Sequence, residues 1–263
     1  ARTAAAYGAR VLTHVDAVSV GDGHATLRDE HGEFTIDCDH IITCTGVWTE
    51  ELNPEIRLSP SRGTHLIIPS ERLGHPTACM TVAIPEEFGR FVFAIPQPDG
   101  LCYVGLTDLS TESLQPDPPQ PTAEELAWLR ERISAALAVP LREEDVIGTY
   151  SGLRPLVSDA HSETADISRK HLIARQPNGA IAVTGGKLTT YRKMAEDAVD
   201  LISSQPCRTA DIALVGAPGD SRSRDRLTRR FGAEAAVLHQ AVERDPGLGL
   251  HVADTPALAV EVG

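Results

Sequence analysis

The chain has 263 residues, of which 41% are hydrophobic and 23% are charged, and its formal net charge at pH 7 is −13. These proportions are typical of globular domains and exclude the disordered, collagen-like and membrane-spanning classes. The negative charge argues against a nucleic-acid surface, because phosphate backbones recruit Lys and Arg. An anionic substrate would therefore have to be bound by a local group of cations.

The five cysteines form no C-x-x-C pair and have no spacing typical of metal ligands, so we expect no metal site. Their odd number favours a reduced intracellular protein over a disulfide framework. The N-terminus lacks the charged-then-apolar pattern of a secretory signal, and no segment approaches the roughly 18 apolar residues of a membrane span. We therefore expect a cytoplasmic location.

The first residues predict the end of an Ala-rich helix that stops at Gly8, followed by a strand from Val11. Residues 11–36 alternate short β-prone runs with turn signals, which is typical of an antiparallel β-meander. Residues 39–46, D-H-I-I-T-C-T-G, predict a buried strand that ends in a turn of small residues. Backbone could approach a ligand closely there, so this segment is the first candidate for a cofactor site.

The middle of the chain predicts a second sheet and a helix. Strands are expected at residues 64–68, 91–95 and 101–106, the last two forming a hairpin. Residues 115–121 carry four prolines and predict a stiff linker. Thr122 and Glu125 then form a capping-box pattern, and apolar residues on one face predict an amphipathic helix that is stopped by Pro140.

The last part of the chain mixes strands with helices. Further strands are expected at residues 146–156, 165–174 and 180–184. Residues 190–202 predict a second amphipathic helix, and beyond residue 206 the composition becomes helical and rich in arginine. Because no internal repeat is visible, the sequence predicts a mixed α+β and α/β architecture and not a solenoid or propeller.

The segment of residues 182–192, A-V-T-G-G-K-L-T-T-Y-R, runs from an apolar strand through two glycines into a helix. Glycines let backbone N–H groups approach a ligand, and the helix N-terminus adds about half a positive charge at the same place. Lys187 lies within the turn, where its ammonium group would be close to such a ligand. The pattern predicts an anion or cofactor site, although an ordinary strand-to-helix turn explains it equally well.

Two arginines are candidates for an anion site. Arg154 in S-G-L-R-P-L is held extended because the following proline disfavours the helical region, and its guanidinium could point into a pocket. Arg169 in D-I-S-R-K-H lies within a predicted strand, where a charged side chain is either solvated or paired in a site. For Arg169 a position on the protein surface is the competing interpretation.

Among the histidines, His65 in R-G-T-H-L-I-I-P is the one most suited to catalysis. It opens an apolar strand after a glycine and could face a cleft with a pKa near neutrality. A histidine packed in the core is the alternative. Tyr103 and Tyr191 could donate hydrogen bonds to a ligand, but ordinary half-buried packing explains both.

Six segments of the chain occur in a distinctive order and spacing: I-I-T-C-T-G-V-W, S-R-G-T-H-L-I-I-P, F-V-F-A-I-P, Y-V-G-L-T-D, Y-S-G-L-R-P-L and V-T-G-G-K-L-T-T-Y-R-K-M-A. In these segments the chain resembles the FAD-dependent glycerol-3-phosphate dehydrogenases, and the resemblance covers nearly all of residues 1–202. The resemblance implies a partial FAD-binding domain of the Rossmann type, similar to glutathione reductase and D-amino-acid oxidase, with an inserted antiparallel β-sheet substrate domain. It assigns residues 1–55 and 178–205 to the FAD-binding domain, 56–177 to the substrate domain and 206–263 to the start of a helical C-terminal domain.

The same resemblance implies a reaction and the roles of individual residues. A hydride would pass from the secondary alcohol carbon of sn-glycerol 3-phosphate to FAD, dihydroxyacetone phosphate would form, and the electrons would go to a quinone. The implied catalytic residues are His65, Arg154 and Lys187. The implied substrate-binding residues are Arg154, Arg169, Lys187 and Thr189. The implied FAD-binding residues are Thr45, Gly46, Gly185, Gly186, Leu188 and Thr189.

The sequence departs from the family at its start, where the G-x-G-x-x-G turn that binds the FAD pyrophosphate is absent. We therefore expect an internal part of a longer enzyme that is inactive on its own. For the full-length protein we expect a homodimer that is peripheral to the inner face of the cell membrane. The alternatives are a related FAD-dependent oxidase that acts on glycerol 3-phosphate or on an amine, and a non-catalytic phosphate-binding module.

Overall fold

The structure is a computed structural model that describes residues 1–21, 23–85, 87–97, 99–111, 114, 118–157, 171–217, 219, 223, 225–253, 255 and 257–262. The helices are α1 (Arg2–Ala6), α2 (Thr49–Leu52), α3 (Ala123–Ser134), α4 (Tyr191–Val199), α5 (Arg226–Phe231) and α6 (Ala235–Arg244). The strands are β1 (Asp16–Gly21), β2 (His24–Asp29), β3 (Gly32–Asp37), β4 (Ile42–Thr43), β5 (Ser61–Pro69), β6 (Met80–Ala83), β7 (Phe91–Pro96), β8 (Leu101–Gly105), β9 (Leu109–Ser110), β10 (Gly148–Arg154), β11 (His171–Arg175) and β12 (Ile181–Gly185). The chain forms two compact units, Ala1–Val15 with Pro206–Gly263, and Asp16–Gln205.

Strands β1, β2 and β3 form an antiparallel sheet in which each strand pairs with the next along the chain. This pairing confirms the predicted meander. The strand predicted from Val11 is wrong, because β1 begins at Asp16. His14 has a φ of +58°, which an extended strand does not admit, and Val11 and Leu12 remain more than half exposed.

The second sheet has the strand order β10-β5-β8-β7-β6, and the short strand β9 also pairs with β5. These pairs are antiparallel, and the predicted hairpin is formed by β7 and β8. Because side chains alternate between the faces of a sheet, one face packs against α3. The core on that side contains Leu66, Ile68, Val92, Val104, Leu129 and Ile133. On the opposite face Phe91, Ile95 and Tyr150 are about two-fifths exposed.

Helix α3 begins with the predicted capping box: the Thr122 hydroxyl accepts from the Glu125 N–H, and the Glu125 carboxylate accepts from the Thr122 N–H. This buried carboxylate also accepts from the hydroxyls of Thr64 and Thr107 and from the Arg62 guanidinium. Burial alone would raise the pKa of Glu125, but its hydrogen bonds hold that pKa below the usual range. One side chain therefore ties the first turn of α3 to β5 and to the segment after β8.

Replacement of Glu125 by alanine is expected to lower the free energy of unfolding by about 3 kcal/mol, because the partly buried Arg62 and the hydroxyls of Thr64 and Thr107 lose the buried carboxylate to which they donate. Urea unfolding of the holoenzyme and the variant measures the loss. Glu124→Ala is the matched control, since Glu124 is its exposed neighbour on the same turn and should change stability little. Equal losses in the two variants would contradict the role given to the buried carboxylate.

One prediction around α3 differs from the structure, and a second is described only in part. The helix ends at Ser134, before Pro140, where the Ser134 hydroxyl accepts a hydrogen bond from the N–H of Leu141 and draws the chain back. Residues 115–117 of the predicted proline-rich linker at residues 115–121 lie outside the described residues, and residues 118–121 form no helix or strand, as predicted.

The third sheet places β12 between β11 and β4. Strand β12 is antiparallel to β11 and parallel to β4, with Ile181 opposite Ile42. The carboxyl ends of β4 and β12 therefore lie at the same edge of this sheet. The strand predicted at residues 39–46 is reduced to the two residues of β4, and the prediction that it is buried is wrong, because Ile42 is 36% exposed and only Thr43 is buried. The predicted turn is present at Gly46, whose φ is +58°.

Helix α4 packs on this sheet through Met194 and Ala198, against Ile181 and Val183. It confirms the predicted helix at residues 190–202, although it ends at Val199. Strand β11 overlaps the strand predicted at residues 165–174 and extends one residue beyond it, while residues 165–170 lie outside the described residues. Strand β11 thus shares a sheet with the glycine turn, whereas the expected boundary at residue 177 groups it with the substrate domain. The domain boundaries as a whole stay a prediction.

In the unit formed by Ala1–Val15 and Pro206–Gly263, α5 and α6 pack around Leu227, Ala235 and Val260. Helices were predicted for this region beyond residue 206.

None of the described helices is long and apolar enough to cross a membrane. Within the described ranges, no group of three His, Cys, Asp or Glu side chains could hold a metal ion.

Candidate active site

Three aromatic rings lie together on the face of the six-stranded sheet opposite α3. His65 of β5 pairs with Tyr150 of β10 on one side and with Gly105 of β8 on the other. The rings of His65 and Tyr150 stack with centroids 4.6 Å apart and planes 7° apart, and Tyr103 meets Tyr150 edge-on at 5.7 Å. The histidine predicted to be catalytic therefore lies on a half-exposed aromatic surface and not in the core.

The surroundings of His65 keep its imidazole neutral. Burial lowers the pKa of His65, and the positive charge of Arg154 lowers it further. The Nδ1 atom is buried and has no hydrogen-bond partner among the residues that the structure describes. A neutral imidazole can accept a proton from a ligand, and because Nδ1 is buried, Nε2 is the nitrogen that would do so.

The guanidinium of Arg154, at the end of β10, is held by three groups within the described part of the chain. Nη1 donates to the Ser61 hydroxyl at 2.9 Å and to the Asp108 carboxylate at 3.2 Å, and Nη2 donates to the Thr107 carbonyl at 3.1 Å. The Ser61 hydroxyl also donates to Asp108. These contacts orient the cation before any ligand binds. The Arg154 side chain remains 23% exposed, so the cation is also accessible to a ligand. Such a planar, fixed group suits bidentate recognition of a phosphate.

Arg154 and Lys187 line one cavity of about 290 Å³, together with Gly185 and Gly186. The structure therefore brings two of the three predicted phosphate-binding cations to the same place. The third, Arg169, lies outside the described residues, so its position at the site stays a prediction. This cavity joins the end of β10 to the glycine turn, which the sequence separates by about thirty residues.

A second cavity of about 490 Å³ lies beside the first and shares Pro155 and Gly185 with it. It is lined by Gly46 after β4, by the end of β12 and by the apolar side of α4. Gly46, Gly185 and Gly186 have φ values of +58°, +74° and +72°, so the backbone turns there without side chains that would cover it. Ligands of α/β sheets commonly bind at the carboxyl ends of the strands, where this cavity lies.

The remaining predicted cofactor residues differ in their surroundings. Leu188 is 88% exposed and Thr189 is exposed beside it, so both are accessible at the start of α4. A Cβ at Gly186 would lie 2.7 Å from Met194 Sδ and 3.1 Å from His171 Cβ. Glycine is therefore required at position 186 for two reasons, the close packing beneath the turn and the positive φ.

Three residues that shape the site were missed by the sequence analysis: Ser61, Asp108 and Tyr150. The signal for Tyr150 is its spacing, because it lies four residues before Arg154 on the same strand and therefore faces the same side. Ser61 and Asp108 carry no comparable signal. Their contacts with Arg154 depend on strand register and on the path of the chain after β8.

A family profile described as FAD dependent oxidoreductase matches residues 1–192 of the chain. The chain belongs to this family of FAD-dependent oxidoreductases. The mixed architecture of the protein, with a parallel strand pair beside a larger antiparallel sheet, agrees with the predicted fold class.

This FAD-dependent oxidoreductase is similar to glycerol-3-phosphate dehydrogenase 1 of Mycobacterium tuberculosis, with 41% identity over 261 residues, covering 92% of this chain and 51% of the relative. It is also similar to the X-ray structure of glycerol-3-phosphate dehydrogenase from Bacillus halodurans complexed with FAD: the TM-score is 0.69 at 26% identity, covering 94% and 49% of the two chains. The FAD-bound, dithionite-reduced L-alpha-glycerophosphate oxidase of Mycoplasma pneumoniae shares the fold, with a TM-score of 0.59 at 18% identity over 78% and 54%. The chain thus spans about half the length of the curated relatives it matches.

The residues at the carboxyl ends of β4 and β12 fit the FAD on which this family depends. The hydroxyls of Thr45 and Thr184 are buried there and have no hydrogen-bond partner within the described part of the chain. A ligand with polar groups would satisfy both. Thr184 lines the cavity of about 490 Å³, to which Gly46 and Gly185 bring bare backbone, and Thr45 directly precedes Gly46 in the chain. These four residues would hold FAD.

Proposed function

We propose that the holoenzyme oxidises sn-glycerol 3-phosphate to dihydroxyacetone phosphate. The observation that carries the proposal is the cavity that Arg154 and Lys187 line beside the glycine turn. In a protein with a net charge of −13, a phosphate needs such a local group of cations. The relatives named glycerol-3-phosphate dehydrogenase support the choice of substrate.

In this proposal Arg154 binds the phosphate group of the substrate. Its guanidinium is already oriented by Ser61, Asp108 and Thr107, so little rotational freedom is lost when the phosphate binds. Lys187 adds a second positive charge from the other side of the cavity and can also reach a substrate hydroxyl. The phosphate would thereby fix the position of the secondary alcohol relative to the glycine turn.

His65 is the proposed base. Its neutral imidazole accepts the proton of the secondary hydroxyl group as the C–H bond of the same carbon breaks and a carbonyl forms. FAD, when bound, supplies the acceptor for the hydride. The stacked ring of Tyr150 holds the imidazole plane in place, so that the proton transfer occurs from a fixed geometry.

We also propose that the electrons pass to a quinone, and that the full-length protein is a homodimer at the inner face of the cell membrane. The resemblance to the quinone-linked family supports both proposals. After anaerobic reduction by substrate, mixing the holoenzyme with a water-soluble quinone analogue should reoxidise it faster than mixing with oxygen. Faster reoxidation by oxygen would instead favour an oxidase.

The test of the reaction uses the purified FAD-loaded holoenzyme without oxygen. Addition of glycerol 3-phosphate should bleach the oxidised flavin band and release one dihydroxyacetone phosphate for each FAD. Glycerol, which lacks the phosphate, is the matched control and should react poorly at the same concentration. Bleaching by an amine but not by glycerol 3-phosphate would overturn the substrate, and phosphate binding without any bleaching would indicate a binding module.

A further inference from the structure

Gly63 of β5 lies directly beneath the guanidinium of Arg154. A Cβ built on Gly63 would lie 2.8 Å from Cζ and 3.0 Å from Nη1 of Arg154, well inside ordinary van der Waals contact. The φ of Gly63 is not positive, so its backbone is one that alanine adopts without strain. What excludes a side chain at Gly63 is therefore the guanidinium itself.

The glycine explains how Arg154 reaches the Ser61 hydroxyl and the Thr107 carbonyl. Arg154 is opposite Ser61 in the pairing of β10 with β5, and Gly63 is opposite Gly152. The Arg154 side chain runs flat over Gly63 to reach the Ser61 hydroxyl and the Thr107 carbonyl. A methyl group at this position would lift the guanidinium off the sheet and away from both acceptors.

The backbone beneath the guanidinium has little room to move. The N–H of Thr64, the next residue, donates to the Thr107 hydroxyl at 2.9 Å, and the Thr64 hydroxyl donates to the buried Glu125 carboxylate at 2.8 Å. These bonds lie on the α3 side of β5 and fix the strand from below. A new methyl group would therefore displace the flexible end of Arg154 and not the strand.

We propose that Gly63 is a positioning residue for substrate binding: its lack of a side chain forms the slot in which Arg154 is held in its phosphate-binding orientation. This inference rests on the proposed function. Gly63 affects the KM for glycerol 3-phosphate only because it determines the position of the Arg154 guanidinium. Gly63 itself does not contact the reacting atoms.

The test compares Gly63→Ala, Arg154→Ala and the double variant as FAD-loaded holoenzymes. Gly63→Ala should raise the KM about tenfold with kcat and FAD content nearly unchanged. In the Arg154→Ala background the same substitution should raise KM no further, because the colliding group is gone. Gly148→Ala is the matched control, since Gly148 belongs to the same strand pair and the nearest atoms to its Cβ would be those of the Ile67 side chain. The KM of this variant should stay that of the wild type.

The outcomes separate this inference from the function on which it rests. If the wild type does not oxidise glycerol 3-phosphate, the proposed function fails. If the wild type is active and Gly63→Ala keeps its KM, or raises KM equally with and without Arg154, the positioning role is wrong. A crystal structure of Gly63→Ala gives a readout apart from activity: the Arg154 guanidinium should have left the Ser61 hydroxyl, and an undisturbed contact would overturn the proposal. If Gly63→Ala does not fold, the double variant with Arg154→Ala should still fold, because the colliding guanidinium is absent. If the double variant also fails to fold, the positioning role of Gly63 is wrong.

Discussion

Replacement of Arg154 by alanine is expected to raise the KM for glycerol 3-phosphate by about tenfold to a hundredfold, while FAD stays bound. The reason is that a charge-assisted contact to phosphate contributes about 1.5 to 3 kcal/mol, and each 1.4 kcal/mol changes an equilibrium constant about tenfold. Steady-state kinetics of the holoenzyme measures the change, and the flavin absorbance measures FAD retention. Arg154 does not line the larger cavity proposed for FAD, which shares Pro155 and Gly185 with the Arg154 cavity, and the cofactor should therefore be unaffected.

The control for this prediction is Arg154→Lys. An ammonium group restores the charge but cannot donate to Ser61 and Thr107 in the same planar geometry, so it should recover only part of the affinity. Full recovery by lysine would mean that charge alone binds the phosphate. An unchanged KM in Arg154→Ala would remove Arg154 from the substrate site, and the proposed substrate would lose its main support.

The second large effect is expected for His65→Ala, which should lower kcat by about a hundredfold or more with a smaller change in KM. The imidazole is the proposed proton acceptor, whereas the phosphate is bound by other residues. His65→Gln is the companion variant, since it keeps a polar side chain on the Tyr150 ring but supplies no base, and it should be equally slow. A variant that turns over normally and only binds substrate more weakly would make His65 a positioning residue.

The pH dependence of kcat/KM tests the same role independently. Protonated His65 cannot accept a proton, so activity should fall as the pH drops through the pKa of His65. Burial and the Arg154 charge both lower that pKa, so the acid limb should lie below the usual value of about 6.5. In Arg154→Ala one of the two causes is removed, and the limb should move to higher pH. An acid limb that stays at the same pH would mean that the charge of Arg154 does not affect the pKa of His65.

Local sequence signals sufficed for the elements whose ends are determined by their own residues. The meander of β1 to β3 follows from turn residues between alternating runs, and α3 follows from the capping pattern of Thr122 and Glu125. The glycine turn before α4 is equally local, because its positive φ values require residues without a Cβ. The meander, α3 and the glycine turn can therefore be predicted without knowledge of any tertiary contact.

What the sequence could not provide depends on register between distant strands. The contact of Arg154 with Asp108 joins β10 to the segment after β8, and the slot at Gly63 exists because β10 pairs with β5 in one particular alignment. A shift by one residue would turn Arg154 to the α3 side of the sheet. The strand predicted from Val11 fails for a related reason, since β propensity does not reveal that His14 interrupts the extended chain.

The parallel pairing of β4 with β12 has a consequence for the order in which the protein folds. Thr43 and Ala182 meet across this pair, yet the whole six-stranded sheet and α3 lie between them in the chain. Closing so long a loop in an unstructured chain costs more conformational entropy than any pairing of neighbouring strands. The six-stranded sheet is therefore expected to form early and bring the two strands together, so that the edge that would hold FAD is completed late. Pulse-labelling hydrogen exchange during refolding should protect the amides of β5 and β8 before those of β12.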